Sequence, residues 1–137
     1  MNRVVVTGAN GFTGSHVLES FEQKPNQDCE VYAACRNESK LPTWYKGKKV
    51  IGDLSNTGYL DQLTSKADII CHTAAWAEMN GTIEDSDNYF FEPTKRLIES
   101  SLKNGVKRFI FLSSTTSNPI VTNKLHTKRN LKKIWPH

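Results

Sequence analysis

Residues 4–14 read VVVTGANGFTG, and this stretch decides the fold class. The β-branched run Val4–Val6 predicts a buried strand, and apolar residues near the helical period continue from Gly11 to about Gln23. The glycines Gly8, Gly11 and Gly14 lie in the turn between strand and helix. A strand, a glycine-rich turn and a helix in this order predict an α/β fold.

The glycine turn has the chemistry of a diphosphate cradle. Glycine permits a tight turn, and the missing side chain lets the backbone approach a pyrophosphate. The first amides and the dipole of the following helix attract negative charge. A glycine-rich turn without a ligand is the alternative interpretation.

Four further short, mostly apolar runs predict strands at about residues 30–35, 49–51, 67–71 and 108–112. Strands of this kind are typical of a parallel sheet that helices cover on both faces. Helices are predicted at residues 59–66 and along the apolar stripe of residues 90–102, which should face the sheet and ends at Asn104-Gly105. Pro93 requires the second of these helices to begin near Glu92 or to bend there. Residues 41–47 are predicted to form a loop with exposed Trp44 and Tyr45.

Length and composition exclude several classes of protein. The chain has 137 residues, 37% of them hydrophobic and 23% charged, which is typical of one globular domain. The longest apolar stretches are too short to cross a bilayer, and no basic and apolar leader follows Met1, so we expect a cytoplasmic protein without membrane contact. Cys29, Cys35 and Cys71 show no Cys-x-x-Cys spacing, so reduced thiols and no metal site are expected.

The charge divides the chain into two regions. Residues 1–99 carry 10 basic and 14 acidic side chains, whereas residues 100–137 carry eight basic and no acidic ones. Helical and strand patterns also stop near Ser117, so we predict a domain at 1–117 and a basic, poorly patterned tail at 118–137. Apart from Trp135 the tail has no interleaved aromatic residues, so nucleic-acid binding is not expected, and a solvated segment remains the simpler interpretation.

The motif at residues 7–14, TGANGFTG, resembles the glycine motif of the extended short-chain dehydrogenases/reductases, the NAD-dependent epimerase/dehydratase family. Further landmarks follow in the family's order: GDL at 52–54, HTAA at 72–75, the helix at 92–101 and the strand at 108–112 with Ser113 and Ser114 after it. The resemblance covers about residues 3–117. It implies a three-layer, doubly wound Rossmann-type parallel sheet of about five strands in the order 3-2-1-4-5, truncated relative to the family.

The resemblance also implies cofactor contacts from three segments. The first is the glycine motif, with Gly8, Asn10, Gly11, Phe12 and Gly14. The second follows the third strand, where Asp53 is the acidic residue that contacts adenine and Leu54 lies next to it. The third is the run of small residues after the fourth strand, Thr73, Ala74 and Ala75. The second strand ends in ACRN at 34–37, without the carboxylate that an NAD site usually places there. Arg36 can pair with a 2′-phosphate, which favours NADP. NAD remains open, because Glu38 could serve an NAD site and Arg36 could be a solvated surface residue.

For catalysis the family uses a serine or threonine after the fifth strand and a Tyr-x-x-x-Lys pair on the next helix. Ser114 matches the serine, with Ser113 as the alternative register. Nothing matches the pair, because Tyr89 is the last tyrosine of the chain. Phe90 and Pro93 also stand where family members commonly have Asn and Gly. Whether this chain is an enzyme is therefore left open.

Cys71 and His72 could suggest a metal or nucleophile pair. Adjacent strand residues point to opposite faces, so core packing with a contact on the cofactor side is the better interpretation of His72.

The sequence thus predicts an NAD(P)(H)-binding domain of a reductase- or epimerase-like protein, incomplete for catalysis, with a small-molecule substrate only in a longer form. Three alternatives stay open: a truncated product of a longer reductase gene, a non-enzymatic dinucleotide-binding or redox-sensing module whose basic tail docks on a partner, and a divergent enzyme completed by oligomerisation. A sheet that stops after its fifth strand leaves an open edge, so aggregation or a homodimer is expected.

Overall fold

The computed structural model describes residues 1–25, 28–75 and 82–113. Its elements along the chain are β1 (Asn2–Thr7), α1 (Phe12–Gln23), β2 (Cys29–Cys35), a 3₁₀ turn (Glu38–Lys40), β3 (Lys48–Ile51), α2 (Thr57–Ser65), β4 (Ile69–His72), α3 (Ile83–Ser86), a π-helical turn (Asp87–Phe91), α4 (Glu92–Lys103) and β5 (Arg108–Phe111). The predicted tail at 118–137 and Ser114 lie outside the described residues.

All strand pairs are parallel, and the sheet has the order β3-β2-β1-β4-β5. The predicted fold class and strand order are therefore confirmed. The chain winds from β1 towards β3 and then crosses to β4, so β1 and β4 lie side by side at the point where the direction of winding reverses. In doubly wound sheets ligands bind at this position, outside the carboxyl ends of the strands.

Helices and loops cover the sheet on two sides, because successive strand residues point to opposite faces. Val5 and Ile70 pack towards α2 and α4, in a core that includes Leu60, Leu63 and Leu97. Val4 and Val6 point the other way, into a core that includes Leu18, Leu41 and Tyr45. This gives the predicted three layers.

Two expectations about single side chains were wrong. Tyr45 is 4% exposed, because its hydroxyl lies 2.9 Å from the carbonyl oxygen of Lys48 and its ring fills the core beside α1. Burial raises the pKa of Tyr45 to about 12. Trp44, in contrast, is 43% exposed. Leu102 belongs to the apolar stripe that was expected to face the sheet, yet it is 48% exposed near the end of α4.

The helix at Pro93 begins as predicted at Glu92, but further helical turns precede it. A capping box between Thr82 and Asp85 starts α3, and the π-helical turn follows directly. Pro93 has no amide hydrogen, so it cannot donate to a carbonyl of the preceding turn. The wider π turn stands where that hydrogen bond is lost.

At the amino ends of the strands, Asp68 joins three segments. Its carboxylate accepts hydrogen bonds from the backbone amide of Arg3 at 2.8 Å and from Arg3 Nε at 3.1 Å. Lys107 Nζ lies 3.3 Å away, beside the start of β5. These donors hold the pKa of Asp68 well below its ordinary value, with the Arg3 amide as the largest cause.

Candidate functional site

The cofactor residues expected from the sequence follow β1 to β4, and the carboxyl ends of these parallel strands meet at one edge of the sheet. The glycine loop follows β1, Arg36 follows β2, Asp53 and Leu54 follow β3, and residues 73–75 follow β4. The structure therefore places these segments along one edge. The loop of residues 8–11 and residues 73–75 are direct neighbours there.

The glycine loop is held by its own backbone and by β2. Gly8 has φ +68°, a left-handed conformation that favours glycine. Its carbonyl oxygen accepts a hydrogen bond from the amide of Gly11 at 2.9 Å. The amide of Ala9 donates to the carbonyl of Ala34 at 3.2 Å and fastens the loop to the end of β2. The loop is thus positioned before any ligand arrives.

Gly8 and Gly14 are required by close packing within the protein. A Cβ on Gly8 would lie 2.6 Å from the Cα and nitrogen of Ala74. A Cβ on Gly14 would overlap the carbonyl oxygen of Gly8 and lie 2.8 Å from Thr73 Oγ1. Both glycines therefore let the loop, α1 and the segment after β4 meet without side chains between them.

Gly11 differs from these two glycines. Its φ of −83° is open to any residue, and a Cβ would meet only the carbonyl oxygen of Gly8, at 3.2 Å. It stands directly before α1 and offers no side chain to cap that helix, and the first turn of α1 contains no acidic residue. No side chain caps the first amides of α1, and such amides with the helix dipole attract anions. The bare backbone at this helix start fits the pyrophosphate of a dinucleotide.

The ends of β2 and β3 bring two opposite charges near each other. Asp53 Oδ1 accepts a hydrogen bond from the amide of Ser55 at 2.8 Å. This bond is the main reason why the pKa of Asp53 is lowered, and the positive charge of Arg36 lowers it further. Within the described ranges the exposed Arg36 guanidinium forms no hydrogen bond or salt bridge. Its donors are therefore available to an anionic group.

The remaining predicted residues fall into three environments. Asn10, Phe12 and Ala75 are exposed, and the Phe12 ring lies 4.5 Å from that of His16. Leu54 is half-buried and packs against the core beside α2. Ser113 is exposed just after β5, whereas Ser114, the residue matched to the family's serine, lies outside the described residues.

Cys71 and His72 point to opposite sides of the sheet. Cys71 packs towards the core beside α1, whereas the His72 ring lies 5.9 Å from the ring of Phe109 on the other side. They form no pair, and within residues 1–25, 28–75 and 82–113 no group of three metal-ligating side chains comes together. The same residues include no helix long and apolar enough to cross a membrane.

A cavity of about 410 Å³ lies elsewhere, between the end of α1 and the amino ends of β2 and β3. Its lining includes Phe21, Cys29 and Lys48, so it does not belong to the edge that carries the glycine loop.

Sequence reasoning missed two buried residues that contact His72. Thr7 is 1% exposed and Thr94 is 2% exposed, and both hydroxyls contact the ring of His72. The one signal in the sequence was a hydroxyl residue directly after the apolar run Val4–Val6.

Comparisons with known proteins agree with this architecture. The model of the NAD dependent epimerase/dehydratase family matches residues 4–133. A 3-beta-hydroxysteroid dehydrogenase of Mycolicibacterium neoaurum is 30% identical over 128 residues, which cover 88% of this chain and 33% of the relative. A UDP-N-acetyl-alpha-D-glucosaminuronate decarboxylase of Bacillus cytotoxicus is 27% identical over 118 residues, 82% of this chain and 36% of the relative.

Solved structures show the same fold. A short-chain dehydrogenase/reductase superfamily protein of Agrobacterium tumefaciens with bound NAD has a TM-score of 0.68 at 26% identity, covering 85% of this chain and 34% of that one. The UDP-glucose 4-epimerase of Thermus thermophilus in complex with NAD also has a TM-score of 0.68, at 23% identity, over 82% of this chain and 37% of that one. The chain spans about a third of the length of these curated relatives and structures.

The parallel sheet with its glycine loop before α1 defines a Rossmann-type domain. More narrowly, the chain belongs to the NAD dependent epimerase/dehydratase family.

Proposed function

We propose that this chain binds NADP(H) at the carboxyl edge of its sheet. The bare glycine loop against the uncapped start of α1 is the observation that carries the proposal. In this proposal Gly8, Gly11 and Gly14 form the loop around the pyrophosphate, with Asn10 and Phe12 beside it. Asp53 and Leu54 lie at the adenine, and residues 73–75 form the wall opposite the loop.

The preference for NADP rests on Arg36. Its guanidinium is exposed and makes no hydrogen bond or salt bridge among the described residues, so it can form charge-assisted hydrogen bonds with a 2′-phosphate. Two observations favour NAD as the second candidate. Asp53 lies near enough to Arg36 for their charges to interact, and a carboxylate there repels a phosphate. The Agrobacterium relative, at 26% identity, contains NAD.

We propose hydride transfer to or from a small molecule as the activity of a longer form. A bound nicotinamide supplies a hydride donor or acceptor. Ser114 is the residue of this chain proposed to contact substrate. A Tyr-x-x-x-Lys pair would have to come from outside this chain, since no tyrosine follows Tyr89.

Two further proposals concern the domain boundary and the cellular compartment. We propose that residues 1–117 form the domain and that 118–137 form a separate basic tail. The family match continues from residue 4 to residue 133 and so extends past this boundary. A reducing compartment such as the cytoplasm is proposed because Cys29, Cys35 and Cys71 are free thiols.

The proposal is tested by titrating the 137-residue chain with NADPH and with NADH while cofactor fluorescence is recorded. We expect saturable binding of both, with NADPH tighter by about tenfold or more, which corresponds to about 1.4 kcal/mol. Equal affinity for the two would reject the NADP preference alone. No binding of either by a folded chain would reject the proposed function.

A further inference from the structure

His72 is buried beside the glycine loop. It ends β4, is 2% exposed, and lies 5.9 Å from each of the rings of Phe109 and Phe111. Its Nδ1 lies 2.7 Å from Thr7 Oγ1, and its Nε2 lies 3.1 Å from Thr94 Oγ1. One ring thus joins the end of β1 to α4 across the end of β4.

The chemistry of these contacts suits an uncharged ring. A neutral imidazole has one donor and one acceptor nitrogen, and a threonine hydroxyl can play either part. Both nitrogens are therefore satisfied by Thr7 and Thr94 in either tautomer. The contacts of the ring in the described structure are hydroxyls and aromatic rings, none of them charged. Burial lowers the pKa of His72 to about 4.

Thr7 connects His72 to the glycine loop and to the segment after β4. It directly precedes Gly8, so the glycine loop starts from it. Its carbonyl oxygen accepts hydrogen bonds from the amide of Thr73 at 3.2 Å and from Thr73 Oγ1 at 2.6 Å. Thr73 Oγ1 is also the atom that a side chain on Gly14 would meet. A shift of Thr7 would therefore move the loop and the segment after β4 together.

We propose that His72 is a positioning residue for dinucleotide binding. By joining Thr7 to Thr94, it fixes the glycine loop relative to α4, the helix that begins directly after the π-helical turn. This inference rests on the proposed function. It adds a residue that touches no ligand and acts through Thr7.

The test must separate a positioning role from simple stabilisation of the fold. It therefore changes Thr94, the partner of His72 that lies on α4 and not in the glycine loop. Thr94→Val keeps the shape of the side chain but removes the hydroxyl, and it leaves every contact of the glycine loop in place. We expect NADPH to bind about tenfold more weakly to Thr94→Val, and Thr94→Ser to restore the affinity to within about twofold of the wild type. Thr7→Val and Thr7→Ser form a second pair with the same expectation.

Thr64→Val is the matched control. Thr64 is also fully buried, and its hydroxyl lies 2.9 Å from Ser100 Oγ in a contact between α2 and α4. This variant should lower the melting temperature as Thr94→Val does, yet leave the dissociation constant for NADPH unchanged. Affinities are compared at a temperature where each variant is folded by circular dichroism.

Nitrogen-15 NMR of the His72 ring gives a second readout, which does not require the variants to fold. The wild-type ring should show the shifts of one neutral tautomer at pH 5.5. A charged ring, or Val variants at both threonines that bind NADPH as the wild type does, would overturn the proposal. Failure of the wild type to bind any dinucleotide is a distinct result, which would reject the proposed function and this inference with it.

Discussion

The carbonyl oxygen of Gly8 occupies the space that a side chain on Gly14 would need. This close contact shows that the three glycines of the motif have different roles. Gly8 and Gly14 allow the loop, α1 and residues 73–74 to pack together, whereas Gly11 leaves bare backbone where a pyrophosphate is proposed to bind.

The first prediction compares two glycine variants. Gly14→Ala places a methyl group on the Gly8 carbonyl, so we expect it to lower the free energy of unfolding by about 1–3 kcal/mol or more. Gly11→Ala meets only one atom, at 3.2 Å, and should lower the melting temperature much less than Gly14→Ala does, while NADPH affinity falls about tenfold. Thermal melts and fluorescence titrations measure the two effects. A Gly11→Ala chain that binds as tightly as the wild type would place the pyrophosphate elsewhere.

The second prediction concerns cofactor choice. Arg36→Met removes the guanidinium but keeps a long side chain, and hydrogen bonds to charged groups contribute about 1.5–3 kcal/mol. We expect NADPH to bind about tenfold to a hundredfold more weakly, with NADH affected by less than about twofold. Lys40→Met, another exposed cation close in sequence, serves as the control. An equal loss for both cofactors would show that Arg36 does not read the 2′-phosphate.

The third prediction is a dependence of stability on pH that arises from His72. Its pKa is lowered from 6.5 to about 4 in the folded chain, so below pH 6.5 the unfolded chain takes up a proton that the folded chain does not. The stabilisation is present above pH 6.5 and is lost as the pH falls towards 4, by up to about 3 kcal/mol. Urea unfolding at several pH values between 6.5 and 5 measures the slope.

His72→Asn should flatten that slope. An unaltered slope in His72→Asn would assign the pH dependence to other groups.

The fourth prediction is a loss of stability at acidic pH that arises from Asp68. Its folded-state pKa lies far below 3.8, so its stabilisation is present above pH 3.8 and is lost as the pH falls further. Asp68→Asn removes the charge that Arg3 and Lys107 contact, so we expect a lower melting temperature at pH 7 and a smaller difference between pH 7 and pH 3. Glu84→Gln on the exposed face of α3 is the control. A wild-type melting profile in Asp68→Asn would contradict the stabilising contact.

The fifth prediction is self-association of the isolated chain through the face of β5. Ile110 in β5 is 47% exposed and Leu112, directly after the strand, is 51% exposed, whereas Phe109 and Phe111 are half-buried. We expect apparent mass to rise with concentration in analytical ultracentrifugation, and the double variant Ile110→Lys, Leu112→Lys to suppress that rise. If the wild-type chain has the mass of a monomer at every concentration, the expected homodimer does not form.

The sheet was predictable because its information is local. Short apolar runs, a glycine turn and crossover-length intervals are enough to predict five parallel strands, and the resemblance supplied their order. The bounds of β2, β3 and β5 each differ from prediction by one residue at one end, because strand ends are set by pairing and not by composition.

Several features of the site depend on distant contacts and could not be predicted from local sequence. Tyr45 is buried because the loop after the 3₁₀ turn, and not a helix, packs against β2. A loop has no hydrophobic period, so its buried residues cannot be identified from the sequence pattern. The contacts of His72 join residues 65 and 22 positions away in the sequence. The unequal roles of the three glycines emerge only once Ala74 and Thr73 are placed against the loop.

The most direct test of the central claim is the melting temperature of the 137-residue chain with and without NADPH. A ligand that binds only the folded state at 100 times its dissociation constant adds about 2.7 kcal/mol, which for a chain of this size raises the melting temperature by about 5–10 °C. We predict that rise with NADPH, a smaller one with NADH at the same concentration, and a reduced one in Gly11→Ala. A chain that melts cooperatively at one temperature whether or not either cofactor is present would contradict the account.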